Sequence, residues 1–159
     1  MRTFAAALLT ASAVATELPQ GAAIYASTVC VANMAGFVLD WWMDDLISGQ
    51  SSADSPSYPI DQTKCMSIGP NTAGIQVGDF LEVYIHAHVG ATKTASSAII
   101  YQPTPAITAS FTCKGTTLNF NCNLNGQDYM EQLEAHGMYD ELYAFAAWNG
   151  VEYTPKILN

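Results

Sequence analysis

The chain has 159 residues, of which half are apolar or aromatic, only 12% are charged, and the formal net charge is −9. A chain this apolar and this long can bury the core of one domain, so the composition excludes intrinsic disorder. Only five residues are lysine or arginine. The acidic protein therefore has no basic surface of the kind that binds nucleic acid or attracts anionic lipid.

Residues 1–15 have the pattern of a secretory signal peptide. Arg2 precedes an apolar run over residues 4–9, and residues 13–15 have the small-x-small form of a cleavage site. The run is too short to span a bilayer, and no other segment approaches that length. We therefore expect a soluble, extracellular mature protein, or one in a compartment reached through the secretory route, and not an integral membrane protein.

The segment from residue 16 to residue 125 is predicted to form an all-β domain. After a loose arm (16–27), residues 27–33 and 36–43 read as a hairpin, followed by strands within 58–68, 80–89 and 95–102. With two further strands near the end, these make about seven short strands separated by turns, which predicts an antiparallel β-sandwich. The predicted inward residues of two strands are Phe37, Leu39, Trp41, Met43, Leu81, Val83, Ile85, Ala87 and Val89.

The last two strands are predicted to form a hairpin that turns at Lys114-Gly115. Apolar residues alternate with polar ones on both sides of this turn, so each strand has one buried face. If Cys113 lies opposite Thr116, the two apolar faces coincide and the register is self-consistent. The buried residues would then be Ile107, Ala109, Phe111, Cys113, Leu118, Phe120, Cys122 and Leu124.

This register restricts how the four cysteines can pair. It places Cys122 roughly 20 Å from the position opposite Cys113, whereas a disulfide needs Cα atoms within about 7 Å. A Cys113–Cys122 bond is therefore excluded by the predicted register. Two arrangements remain open, in which Cys30 pairs with Cys113 and Cys65 with Cys122, or Cys30 pairs with Cys122 and Cys65 with Cys113.

Residues 126–159 are predicted to form an acidic, aromatic helical tail. Met130 and Leu133 have helical spacing, Gly137 is expected to end a first helix, and Asn149-Gly150 a second. The tail either packs on the sandwich or docks on a partner. In the second case, the candidate contact residues include Tyr139, Tyr143 and Trp148.

His86 and His88 form a candidate metal site, because side chains two positions apart on a strand project from one face. Glu82 lies on that face too, and His136 is the only other histidine that could supply a further ligand. The alternative is a polar stripe that faces solvent. No other cofactor is expected.

Trp42 is predicted to lie on the same face of its strand as Asp40 and Asp44, away from the core. A tryptophan beside carboxylates suits stacking on a sugar ring or insertion at a lipid interface. Burial beneath the C-terminal helices is the alternative. We treat Trp42, Asp40 and Asp44 as candidate binding residues.

The stretch VCVANMAGFVLDWWM (29–43) resembles the opening strands of aegerolysin- and actinoporin-type sandwiches. This resemblance implies lipid binding, with Trp42 as the contact residue. No GxSxG, HExxH or CxxC motif is present, so the sequence favours a non-enzyme. The function expected is a non-catalytic structural, assembly or recognition protein that binds a protein partner or itself. The alternatives are a carbohydrate- or lipid-binding, cytolysin-like protein and a metal-dependent enzyme that uses His86 and His88.

Overall fold

The computed structural model describes residues 23–72 and 74–156, so the predicted signal peptide lies outside the described residues. This part of the chain contains nine strands and two C-terminal helices, which confirms the predicted β-sandwich with a helical appendage. The strands are β1 (Ile24–Ala26), β2 (Thr28–Asn33), β3 (Leu39–Asp45), β4 (Gln62–Ser67), β5 (Phe80–Ala87), β6 (Thr92–Thr94), β7 (Ile99–Tyr101), β8 (Thr108–Gly115) and β9 (Phe120–Leu124). The helices are α1 (Ile68–Asn71), α2 (Gly126–Ala135) and α3 (Tyr139–Trp148).

The strands form two mixed sheets. One has the order β1-β7-β5-β3, with β6 also paired to β5, and the other has the order β4-β2-β8-β9. The pairs β1–β7 and β2–β8 are parallel, and the other pairs are antiparallel. The predicted inward residues Leu39, Trp41, Met43, Leu81, Val83, Ile85 and Ala87 are fully buried. Alternation therefore identified the core faces correctly, although the sheets are not purely antiparallel.

The predicted hairpin between residues 27–33 and 36–43 is wrong, because β2 and β3 belong to different sheets. The short connection crosses between them and is held by the buried side chain of Asn33. Its amide nitrogen donates to the carbonyl oxygens of Phe37 (2.7 Å) and Tyr58 (3.1 Å), and its oxygen accepts from the Ala35 amide (2.9 Å). A turn of this length looks the same in sequence whether it joins neighbours or crosses the sandwich.

Three local predictions in the five-stranded sheet also need correction. The end of the predicted arm forms β1, because a parallel partner, β7, pairs with it from far along the chain. Residues 92–94, which lie between the strands predicted within 80–89 and 95–102, form β6. Val89, predicted to face inward, is 99% exposed and has a φ of 57°, because β5 ends at Ala87 and the chain turns there.

The terminal hairpin exists, but its predicted register is wrong. Cys113 lies opposite Cys122, six residues beyond Thr116, and the turn comprises residues 116–119, so Leu118 is 73% exposed. Gly115 has a φ of 127°, and a Cβ there would lie 2.5 Å from the Asn119 carbonyl oxygen. The actual register differs from the predicted one by six residues, an even number, so residues within the strands keep their predicted faces. The sandwich prediction is therefore correct although the register is wrong.

Both cysteine arrangements left open by that register are therefore wrong. The disulfides are Cys30–Cys65 and Cys113–Cys122, and each joins directly opposite residues of neighbouring antiparallel strands. Cys113 and Cys122 are buried between the sheets. Cys30 is partly exposed and Cys65 is exposed, so this bond lies on the outer side of the four-stranded sheet.

The edge of the five-stranded sheet at β3 is covered by the turn-rich segment that follows it. The Ser52 amide donates to the Met43 carbonyl, and the Ser55 amide donates to the Trp41 carbonyl, both at 2.8 Å. The two serine hydroxyls accept from the amides of the same two β3 residues, at 2.9 Å and 3.0 Å. The amides and hydroxyls of Ser52 and Ser55 thus form the hydrogen bonds that a neighbouring strand would otherwise form with the edge of β3.

The helical pair packs on its own sandwich. The Tyr129 hydroxyl accepts from the Tyr25 amide at 3.0 Å, and Gln132 exchanges two hydrogen bonds with the Thr108 backbone at 2.8 Å and 2.9 Å. The side chains buried at the helices are Tyr129, Met130, Leu133, Leu142 and Ala146.

The predicted helix ends are confirmed. Helix α2 stops before Gly137, which has a φ of 70°, and α3 stops before Asn149. Among the described residues, no helix is long and apolar enough to cross a membrane.

Candidate functional site

Strands β3 and β5 bring the candidate residues of two separate sequence segments onto one outward surface. Asp40 lies opposite His86, Trp42 opposite Tyr84, and Asp44 opposite Glu82. Their neighbours along each strand are fully buried, so these six side chains point away from the core. We call the surface formed by Asp40, Trp42, Asp44, Glu82, Tyr84 and His86 the β3–β5 face.

An aromatic pair occupies the middle of the β3–β5 face. The rings of Trp42 and Tyr84 stack with centroids 5.6 Å apart and an interplanar angle of 11°, and both side chains are partly exposed. Trp42 therefore packs on Tyr84 of the neighbouring strand β5. The hydrogen bonds of helix α2 go instead to Tyr25 and Thr108, which are not part of the β3–β5 face. Tyr84 was not among the candidate residues predicted from the sequence, although it lies two residues from both Glu82 and His86 and therefore on the same face of the strand.

One end of the face is polar and carries the carboxylates of Asp44 and Glu82. The Tyr84 hydroxyl donates to Glu82 Oε1 at 2.6 Å, and this hydrogen bond, which holds the proton on the phenol, raises the pKa of Tyr84 to about 12. Asp44 accepts a hydrogen bond from the Ser51 hydroxyl at 2.6 Å. The face thus combines stacked rings with three carboxylates, and none of its six side chains is a lysine or arginine.

The other end of the face carries a histidine–aspartate cluster. His86 Nδ1 lies 3.2 Å from Asp40 Oδ1, and His88 Nε2 lies 3.4 Å from Asp40 Oδ2. The Ser57 hydroxyl is 3.0 Å from His88 Nε2. Among residues 23–72 and 74–156, Asp40, His86 and His88 are the only group of three metal-ligating side chains whose ligand atoms lie close together, within 4.8 Å of one another.

The other predicted ligands lie elsewhere. The Glu82 carboxylate accepts a hydrogen bond from Tyr84 and is not part of the group formed by Asp40, His86 and His88. His136 is not part of this group either, because it lies exposed at the end of α2. The predicted docking residues lie on α3, where Tyr139 and Tyr143 stack at 6.3 Å. Tyr139 packs partly against the core, whereas Tyr143 is 47% exposed and Trp148 is 69% exposed.

No protein-family model and no curated protein matches this chain. Solved structures that resemble it are pneumolysin at 1.98 Å resolution (13% identity, TM-score 0.37) and listeriolysin O (15%, 0.33). Another is a disulfide-locked mutant of intermedilysin with human CD59 (10%, 0.31). The matches cover 62% of this chain and 22–24% of the other chains, so this chain spans less than a quarter of their length. This is a weak structural resemblance to cytolysins, and the resemblance to aegerolysins and actinoporins stays a prediction.

Proposed function

We propose that the chain is a secreted, non-catalytic recognition protein that binds carbohydrate through the β3–β5 face. The observation that carries the proposal is the stacked Trp42–Tyr84 pair, which lies between the carboxylates of that face. Aromatic rings provide an apolar surface for a sugar ring, and the neighbouring carboxylates accept hydrogen bonds from its hydroxyl groups. Both side chains are partly exposed, so a ligand can reach the pair from solvent.

Secretion is supported by the signal-peptide pattern and by the two disulfides. Disulfide bonds persist in oxidising compartments and are rare in the cytosol. The described residues contain no free cysteine. A recognition protein that works outside the cell is consistent with both observations.

A carbohydrate fits the face better than a lipid headgroup does. Asp40, Asp44 and Glu82 would repel anionic lipids, and the face has no lysine or arginine to offset them. Trp42 is partly exposed and already stacked on Tyr84, so it does not form an extended apolar surface for membrane insertion. Sugar hydroxyl groups, by contrast, pair well with carboxylates.

The test is binding of purified protein to a panel of glycans and to liposomes, before and after Trp42→Ala. We expect retention on at least one glycan, weakened about tenfold or more by the substitution. Trp148→Ala is the matched control, because this tryptophan is exposed on a different element. Circular dichroism checks that both variants fold. Retention that Trp42→Ala leaves unchanged, or binding to liposomes alone, would contradict the proposal.

Self-assembly, or docking on a protein partner, is a second candidate function. It is favoured by the exposed rings of Tyr143 and Trp148 on α3, because aromatic residues are enriched in protein interfaces. Sedimentation velocity at several concentrations should then show oligomers that Tyr143→Ser with Trp148→Ser dissociates. A monomer at every concentration would count against assembly.

A further inference from the structure

The cluster of Asp40, His86 and His88 has the composition of a transition-metal site. We propose that these three side chains bind one divalent transition metal ion, of which Zn²⁺ fits best. Two imidazole nitrogens and one carboxylate oxygen are ligands that zinc accepts in proteins. The sequence pattern suggested Glu82 as the carboxylate, whereas the structure assigns this role to Asp40 on the neighbouring strand. The proposal does not depend on carbohydrate binding.

The distances in the cluster agree with coordination geometry. Zinc with ligands at about 2.0–2.1 Å in a tetrahedral arrangement separates its ligand atoms by about 3.3 Å. His86 Nδ1 lies 3.2 Å from Asp40 Oδ1, and His88 Nε2 lies 3.4 Å from Asp40 Oδ2, so each imidazole is at about this distance from one of the two carboxylate oxygens. Charge-assisted hydrogen bonds between the same groups are shorter, about 2.7–2.9 Å. The two contacts are thus longer than charge-assisted hydrogen bonds, and one carboxylate is within reach of both imidazoles, as ligands of a shared ion have to be.

The backbone holds the three ligands in place. Asp40 and His86 are directly opposite each other in the β3–β5 ladder. His88 lies just after β5, but its amide donates to the Val38 carbonyl at 2.9 Å, which keeps it beside β3. Ligands on paired strands need little backbone movement to bind an ion, so the ordering cost of binding is small.

Two adjustments accompany metal binding. The ligand atoms of the three side chains lie within 4.8 Å of one another, so small side-chain rotations bring them to coordination distance, and the Ser57 hydroxyl has to leave His88 Nε2. The imidazole side chains are 39% and 41% exposed, so both can rotate without disturbing the core. Three protein ligands leave a fourth position open for water or another ligand. That position is on the outward surface that carries Trp42 and Tyr84.

The experiment is a calorimetric titration of the full chain, free of any histidine tag, with ZnCl₂. We expect one ion per chain, and Co²⁺ in place of zinc should produce the visible absorption of a tetrahedral site. His86→Ala, His88→Ala and Asp40→Asn should each weaken zinc binding by more than about 100-fold, because losing even an outer partner of a metal ligand costs about 10–100-fold. The matched control is His136→Ala, which removes an exposed histidine outside the cluster and should leave the affinity unchanged.

The outcomes separate this proposal from the carbohydrate proposal. Trp42→Ala should keep zinc binding, so loss of glycan retention in that variant does not bear on the metal. A zinc-induced rise in melting temperature that is lost in His86→Gln gives a second readout if an alanine variant folds poorly. Zinc binding weaker than millimolar in the intact protein, or unchanged by Asp40→Asn, would overturn the proposal.

Discussion

Asn33 links the two sheets, and its removal should be among the most damaging single changes in the protein. The side chain is fully buried and makes three hydrogen bonds to backbone groups of the connection between β2 and β3 and of the segment before β4. Asn33→Ala removes all three at once, at a position with no exposure to solvent. We therefore expect a large loss of stability with little change in the surface of the protein.

The size of the effect follows from the groups left behind. A buried polar group without its partner costs about 1–3 kcal/mol. The Ala35 amide and the Phe37 carbonyl each lose the bond from Asn33, while the Tyr58 carbonyl keeps one from the Leu39 amide at 3.1 Å. Two fully affected groups and one partly affected group give a loss of about 3–5 kcal/mol. This is a large share of the about 5–15 kcal/mol that stabilises a typical domain.

Equilibrium urea unfolding, followed by tryptophan fluorescence, measures this loss. The matched control is Asn123→Ala, because Asn123 is exposed on β9 and makes only a 3.4 Å contact with Asn121. The control should change the free energy of unfolding by less than about 0.5 kcal/mol. If Asn33→Ala also costs less than about 1 kcal/mol with an unchanged m-value, the role assigned to Asn33 is refuted.

Three further predictions concern stability. Replacing both cysteines of Cys30–Cys65 with serine should lower the free energy of unfolding in urea by about 4 kcal/mol, because this bond closes a 35-residue loop and lies outside the core. A decrease below about 1 kcal/mol would argue against this stabilising role. Burial raises the pKa of Tyr129 to about 12, so its neutral form stabilises the fold fully below pH 10, and this contribution disappears as the pH rises to 12. Melting temperatures between pH 8 and 12 should fall less steeply in Tyr129→Phe; equal slopes would contradict the assignment. Gly115→Ala should lower the melting temperature clearly, because its φ of 127° and the 2.5 Å approach to the Asn119 oxygen exclude a side chain; an unchanged melting temperature would disprove this.

The faces of the strands could be predicted from sequence because alternation is a local property. Leu81, Val83 and Ile85 are buried as the pattern indicates, and the polar residues between them point outward. The ends of strands were less predictable. Val89 continues the alternation of β5 by residue type, but the turn after Ala87 takes it out of the sheet.

Strand partners could not be predicted, because pairing depends on residues far apart in the chain. Nothing local in residues 24–26 indicates a parallel partner at residues 99–101. The candidate metal site shows the same limit. Asp40 and His86 were both singled out from the sequence, but as parts of different sites, since 46 residues separate them. Only the pairing of β3 with β5 brings the aspartate to the histidines.

The serine hydroxyls along β3 determine how a partner can approach this side of the protein. Peptides often bind by adding a strand to an open sheet edge, where free backbone groups accept any sequence. At Trp41 and Met43 those groups are already occupied by Ser52 and Ser55. Recognition at this side must therefore rely on side-chain chemistry, which makes it selective for the shape of the ligand.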